Sequence, residues 1–405
     1  MNQSIGIDEV KVGMYLVSLH ECETNLQVKS QGLIKSTATI ESLKRRGVKS
    51  IIIDADKSVH ASHVKSQTDI TKLSKENDVS VEHKPALSPQ ILDFAKHQEH
   101  LAKADKLYTQ ARALQSRFIK QLRSGDAPDF DVLNAMCQDV IDSVFENNEA
   151  LSCLVMLKDT SDYLVEHSLN CAILLSMFAT HRGMTQAEIE DLTLSGLLMD
   201  LGMALLPDEL AARQDEYSQA DLTLMRSHVD IGAEIVERYA DLPPMVREVI
   251  LNHHERVDGS GYPKQKSGEA VSIYAQMAGL VDTYDAMITD RKFRSSRTAQ
   301  DVLEKLETDA SFDSELVEAF IAAIGLYPVG ALVHLSSGKL AIVVQKHPKY
   351  PLKPKVMSFY SIRNKMHTEV KLTDLSKSSD KIKSVVRPEE FDLNLPQFFK
   401  KVFRS

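Results

Sequence analysis

The stretch HHERVDGSGYP, residues 253–263, decides how this chain is read. Two adjacent histidines at the end of a helical run can point two ways around one ion. The D-G-S-G-Y-P that follows reads as a tight loop. Its glycines let backbone approach a ligand closely, Tyr262 offers a stacking ring, and Pro263 fixes the exit. Alone, the string also fits a surface turn after an ordinary helix. Its companions argue otherwise. His167 lies in YLVEHSLN and His228 in MRSHVDIG, each on or beside a helix with an apolar face. Asp200 sits inside GLLMDLGMALLP and Asp282 inside AGLVDTYDAM. A carboxylate among such neighbours is costly unless something pairs with it. One histidine on such a face is normally a satisfied core residue. Four of them with two embedded acids form the donor set of zinc, iron or manganese. A cation would also offset the cost of burying Asp200.

Around this set, nearly every segment of residues 130–323 has helical period, which predicts an all-α domain. Ahead of it, Ser88-Pro89 gives an N-cap and a first-turn proline. Apolar residues then recur at Leu101, Ala104, Leu107, Tyr108, Ala111, Leu114, Phe118 and Leu122. This predicts a long amphipathic helix over 88–125, able to pack on its own chain or on a second copy, and ended by GDAPD. Residues 57–87 are polar and aperiodic and read as a linker. His60, His63 and His83 lie there with no acid or cysteine at ligand spacing. Residues 1–56 read as a small α/β domain: VGMYLVSL and VKSIIID as strands, with a short helix capped by Ser36-Thr37 and ending at Gly47. Past Ile324 the pattern turns to β. GLYPVGALVHL and KLAIVVQKH flank a Ser-Ser-Gly turn, and KVMSFYSI and TEVKLTDL continue, giving a β-rich extension over 325–405. The expected fold class is therefore mainly α, with a small N-terminal α/β domain and a β-rich C-terminal extension.

Composition narrows the function. The formal net charge of −9 excludes general binding of nucleic-acid polymers, which needs a dominant basic surface. The four cysteines are scattered with no C-x-x-C pair, as suits a reducing compartment. The N-terminus lacks a signal-peptide pattern, and no apolar run is long enough to span a bilayer. A cytoplasmic protein is expected.

HHERVDGSGYP, with His167, Asp200, His228 and VDTYDAM in this order, resembles the HD-GYP domain, a subgroup of the HD metal-dependent phosphohydrolases. The resemblance covers about residues 140–305. The start, IDEVKVGMYLVSL, is similar to a small domain often found ahead of HD-GYP domains. The resemblance implies a helical domain with a metal centre, usually of iron or manganese, that hydrolyses cyclic di-GMP or a related cyclic dinucleotide. It implies His167 as the first ligand and Asp200 as the acid of the HD pair, bridging two metals. His228, His253 and His254 are implied to hold one of those metals, and Asp282 to be the last ligand. Arg291 and Arg294, in DRKFRSS, match a basic segment near the substrate, and an arginine fork binds phosphate or a guanine edge. Gly261, Tyr262 and Pro263 complete the implied substrate contacts.

The chain departs from the family at the HD pair itself. Where the family reads H-D-x-G-K, this chain reads Met199-Asp200-Leu201-Gly202-Met203. A thioether is a poor ligand for hard divalent ions and carries no charge. The position of an extra acid that supports a third metal in some members of the family falls near Tyr163, so the resemblance implies one or two ions here. Two functions of different class follow. One is a metal-dependent phosphodiesterase of cyclic di-GMP, with reduced activity. The other is an inactive domain that binds cyclic di-GMP or a protein partner, or pairs with itself through the long helix, and signals without turnover.

Overall fold

The computed structural model describes residues 2–11, 14–22, 32–34, 40, 44, 48–54, 89–156, 162–207, 210, 217–239, 241–289, 297–395, 397 and 398. Outside these residues lie the expected linker, the Ser88 and Ser36-Thr37 caps, most of the short helix ending at Gly47, and Arg291 and Arg294. The chain divides into two compact units, Met1–His83 and Lys84–Ser405.

In the first unit, the β-branched run VKSIIID forms β4 (Val48–Asp54). It lies between β1 (Asn2–Gly6) and β2 (Tyr15–Cys22), and β2 pairs onward with β3 (Gly32–Leu33), all antiparallel. Ile51 and Ile53 of β4 build a small core with Ile7, Val10, Ile34 and Val48. The strand β1 was not expected. Its five residues carry little pattern and become a strand through full pairing with β4, from Asn2 opposite Asp54 to Gly6 opposite Ser50.

The second unit begins with α1 (Pro89–Ser124), whose apolar face packs on helices of its own chain. After GDAPD comes α2 (Phe130–Met156), broken at Asn147. The Asn147 side chain caps the second segment by accepting from the backbone N–H groups of Glu149 and Ala150. Helix α3 (Tyr163–His181) is buried on all sides from Val165 to Ala179. Its long apolar run, CAILLSMFA, belongs in the interior. It packs against α1, α2, α4 (Gln186–Leu198), α8 (Ile273–Ile288) and α10 (Ser314–Ile324). Between α4 and α8 run α5 (Gln219–Arg226), α6 (His228–Tyr239) and α7 (Pro244–Asn252), and α9 (Ala299–Glu307) precedes α10.

The β-rich segment is a five-stranded antiparallel sheet. Strands β5 (Leu332–Leu335), β6 (Lys339–Gln345), β7 (Lys355–Ser361), β8 (Met366–Asp374) and β9 (Ile382–Val385) are ordered β8-β7-β6-β5-β9. One apolar core runs from Leu101 of α1 through the helices to Val343 and Phe359 of the sheet. Polar ties reinforce it. Glu149 accepts from the backbone N–H of Lys346, and the Lys346 ammonium donates to the carbonyl of Ala323. Cys137, Cys153 and Cys171 are buried free thiols. Among the described residues, no helix is long and apolar enough to cross a membrane.

Candidate metal centre

Five elements deliver the side chains. His167 stands in the first turns of α3, and Asp200 follows Met199, the C-cap of α4, at the head of a 3₁₀ turn (Leu201–Leu205). His228 opens α6, His253 caps the end of α7 with His254 next to it, and Asp282 lies inside α8. Gly202 allows the central approach: a Cβ there would collide with the backbone carbonyl of His228. Only glycine lets the Asp200 turn lie directly on the start of α6.

Asp200 stands between two groups of donors. Its Oδ2 is 3.2 Å from His167 Nε2, while its Oδ1 is 3.4 Å from His228 Nε2 and 3.8 Å from His253 Nε2. Asp282 approaches His167 Nε2 through Oδ1 at 3.0 Å and His254 Nδ1 through Oδ2 at 3.6 Å. Asp200, His228, His253 and His254 offer donor atoms all within 4.8 Å of one another, and so do His167, Asp200 and Asp282. Asp200 belongs to both groups.

The backbone fixes which nitrogens face the centre. His228 Nδ1 donates to the carbonyl of Met225 at 2.6 Å, and His253 Nδ1 to that of Ile250 at 2.9 Å. Each ring therefore turns Nε2 inward. His253 is wholly buried, and its Nε2 makes no hydrogen bond. His254 Nε2 lies 3.2 Å from His228 Nε2. Burial holds His228 below the usual imidazole range and, with the nearby His253, holds His254 well below it. Both are neutral at pH 7, so their inward nitrogens act as donors to a cation. Burial opposes ionisation of Asp200 and Asp282, but bonds and charge from the histidines win. They hold Asp200 well below the usual carboxylate range and Asp282 at about 2. Buried anions, an orphaned imidazole nitrogen and two facing Nε2 atoms suit a bound cation. Ligands about 2.1 Å from one ion stand about 3–3.5 Å apart, close to the spacings here.

Other residues surround these groups, and His167, Cys171 and Asp285 form a third set of donor atoms within 4.8 Å of one another. Asp285, one helical turn beyond Asp282, accepts from His167 Nδ1 at 2.8 Å and from Asn170 Nδ2 at 3.2 Å. Cys171 Sγ is 3.8 Å from His167 Nε2, and burial pushes its thiol up to about 12, so it stays neutral. Glu255 orders the GYP loop. Its carboxylate accepts the backbone N–H of Lys264 at 2.7 Å and of Lys266 at 2.9 Å. Gly261 packs so tightly on His254, Glu255 and Arg256 that a Cβ would lie 2.5 Å from Arg256 N. Tyr262 consequently stacks on His254, with ring centroids 4.5 Å apart, and the Arg226 guanidinium carbon lies over the Tyr262 ring, 4.8 Å from its centroid. Pro263 is exposed beyond it, joined by a cis peptide. Met199 is fully buried within the apolar core, and Met203 is half-buried, its N–H donating to the carbonyl of Asp200.

The HD domain pattern matches residues 152–316, and a domain of unknown function (DUF3391) matches residues 2–132. The chain thus carries an HD domain behind an N-terminal DUF3391 domain. It is 28% identical over 381 residues to the cyclic di-GMP phosphodiesterase PA4108 of Pseudomonas aeruginosa, covering 93% of this chain and 90% of that protein. It is 24% identical over 242 residues to the cyclic di-GMP phosphodiesterase PdeB of Borreliella burgdorferi, covering 58% of this chain and 63% of that protein. Among solved structures it is similar to Bd1817, an HDG"Y"P protein from Bdellovibrio bacteriovorus. The TM-score is 0.47 at 16% identity, over 79% of this chain and 98% of that one.

Proposed function

We propose that this chain is a metal-dependent phosphodiesterase of the HD-GYP type acting on cyclic di-GMP or a related cyclic dinucleotide. The observation that carries the reading is the buried, unbonded Nε2 of His253, which with His228 Nε2 faces Oδ1 of Asp200, while His254 Nε2 lies beside His228 Nε2. The relatives' activity supports the substrate class.

Asp200, His228, His253 and His254 would hold one divalent ion, and His167, Asp200 and Asp282 a second, with iron or manganese suiting the mixed nitrogen and oxygen set. Such an ion, when bound, supplies Lewis acidity that polarises phosphate and activates water. The chain's own residues do the rest. Asp285 holds the His167 ring with Nε2 inward. Tyr262 stacks on His254, and Arg226 over that ring brings positive charge near the cluster, where it can meet phosphate. Arg291 and Arg294 are assigned the same task from the sequence.

Met199 and Met203 favour a second reading, in which the domain binds the dinucleotide and signals without turnover. Neither thioether supplies a hard-ion ligand or a transferable proton. The test is incubation of anaerobically purified, iron- or manganese-loaded protein with cyclic di-GMP, followed by chromatography of the products. Linear dinucleotide or GMP supports the enzyme. Bound but intact cyclic di-GMP establishes the second reading, and absence of binding contradicts both.

A further inference from the structure

We infer that Tyr108, on the helix that follows the N-terminal unit in the chain, is a positioning residue of the metal centre, acting on His167 through Asn170 and Asp285. This rests on the donor cluster being a metal centre, as proposed above.

The path is continuous and its polarity is determined. Tyr108 Oη donates to Asn170 Oδ1 at 3.0 Å. Asn170 Nδ2 donates to Asp285 Oδ1 at 3.2 Å. Asp285 Oδ2 accepts from His167 Nδ1 at 2.8 Å. His167 Nε2 then faces Asp282 at 3.0 Å and Asp200 at 3.2 Å. A carboxylate only accepts, so Asn170 must turn its amide nitrogen to Asp285 and its oxygen to Tyr108. The phenol is the donor that holds the amide in that orientation. Burial, aided by the nearby Glu166 and Asp285 carboxylates, raises the Tyr108 phenol above its usual range and keeps that proton in place.

The rest of α1 fixes the register of this contact. Arg112, one turn on, pairs with the buried Glu166 of α3 at 3.1 Å. Gln115, a further turn on, donates to Ser168 Oγ and to the carbonyl of Leu197 at the end of α4, three residues before Asp200. Arg123 donates to the carbonyl of Ala204 in the turn after Asp200. Anchoring α1 in the core is already met by Leu101, Ala104, Ala111 and Phe118. A polar row at 108, 112 and 115 adds orientation: it meets the first turns of α3, which carry His167, and the end of α4, which Asp200 follows.

Removing only the phenol oxygen leaves the ring's packing intact and frees the Asn170 amide to rotate. Loss of a hydrogen-bond partner of a ligating histidine costs about 10–100-fold in metal affinity. Tyr108 stands one bond further out, so Tyr108→Phe should weaken the ion held by His167 by about 3–10-fold. The full chain, with ¹⁵N-labelled histidines, is compared as native protein and as Tyr108→Phe. In metal-free protein the His167 Nδ1–H signal, assigned with His167→Gln, should shift or broaden in Tyr108→Phe. In Mn²⁺ titrations, the binding event lost in His167→Gln should weaken while the event that requires His253 is unchanged. An unshifted Nδ1–H signal, superimposable titrations, or equal weakening of both events with a lower melting temperature would overturn the inference. If the native chain takes up no Mn²⁺, the metal-centre reading itself falls and the histidine signal alone decides on Tyr108.

Discussion

Asp200 shows how one residue defines a centre. Each of its carboxylate oxygens faces a different group of histidines, His167 on one side and His228 with His253 on the other. Burial alone would drive this acid towards its neutral form, yet the surrounding imidazoles keep it ionised. Under the proposed reading, Met199 and Met203 are the departures that weaken the centre. Met199 fills apolar core beside the acid, and Met203 leaves the turn without charge. Replacing both, Met199→His with Met203→Lys, should therefore raise the number of ions per chain and the hydrolysis rate together. Either change alone should do less, since residues of one catalytic unit act non-additively. Metal analysis and product chromatography on the three variants check this. A gain in metal without a gain in rate would place the defect elsewhere.

At the scale of elements, the GYP loop is held by Glu255 as well as by its own signature residues. One carboxylate accepts two backbone N–H groups, and the loop is thereby drawn against His254. Glu255→Gln keeps one acceptor and turns an amide NH₂ towards the other N–H. It should cost about 1–3 kcal/mol of stability, the cost of an unsatisfied buried group, and should loosen Tyr262 from His254. Chemical denaturation and the affinity for cyclic di-GMP read the two effects, and a variant equal to the native chain in both would refute the role. The same elements show what a sequence reveals. Histidines 253 and 254, Asp200 and Asp282 stood out because polar groups in apolar runs are conspicuous. Asp285 and Glu255 lay inside quoted motifs, but nothing local distinguishes a residue that orients from one that ligates. Tyr108 was counted among the apolar residues of its helix. Its hydroxyl has meaning only through Asn170, 62 residues away.

At the scale of the whole chain, the order of helical and β segments was legible because hydrophobic period changes at the boundaries. The strand expected from VKSIIID is Val48–Asp54, and the turn at Ser-Ser-Gly joins β5 to β6. Strands β1, β3 and β9 were missed, being short segments that pair only because a neighbouring strand is there. Nor does the sequence show that the C-terminal sheet shares one core with the HD helices, a long-range property of packing. That shared core couples the stability of the second unit to whatever binds its centre, since a ligand of the folded state stabilises it by mass action. The most direct measurement is therefore metal content per chain, with thermal melting at fixed Mn²⁺, for the native protein and for His253→Ala/His254→Ala. The native chain should hold one or two ions and melt higher with Mn²⁺ than without. The double variant should lose the ion shared by Asp200, His228, His253 and His254, and with it most of the Mn²⁺-dependent rise. Unchanged metal content and an unchanged Mn²⁺-dependent rise in the double variant would contradict the assignment of this cluster as the metal centre.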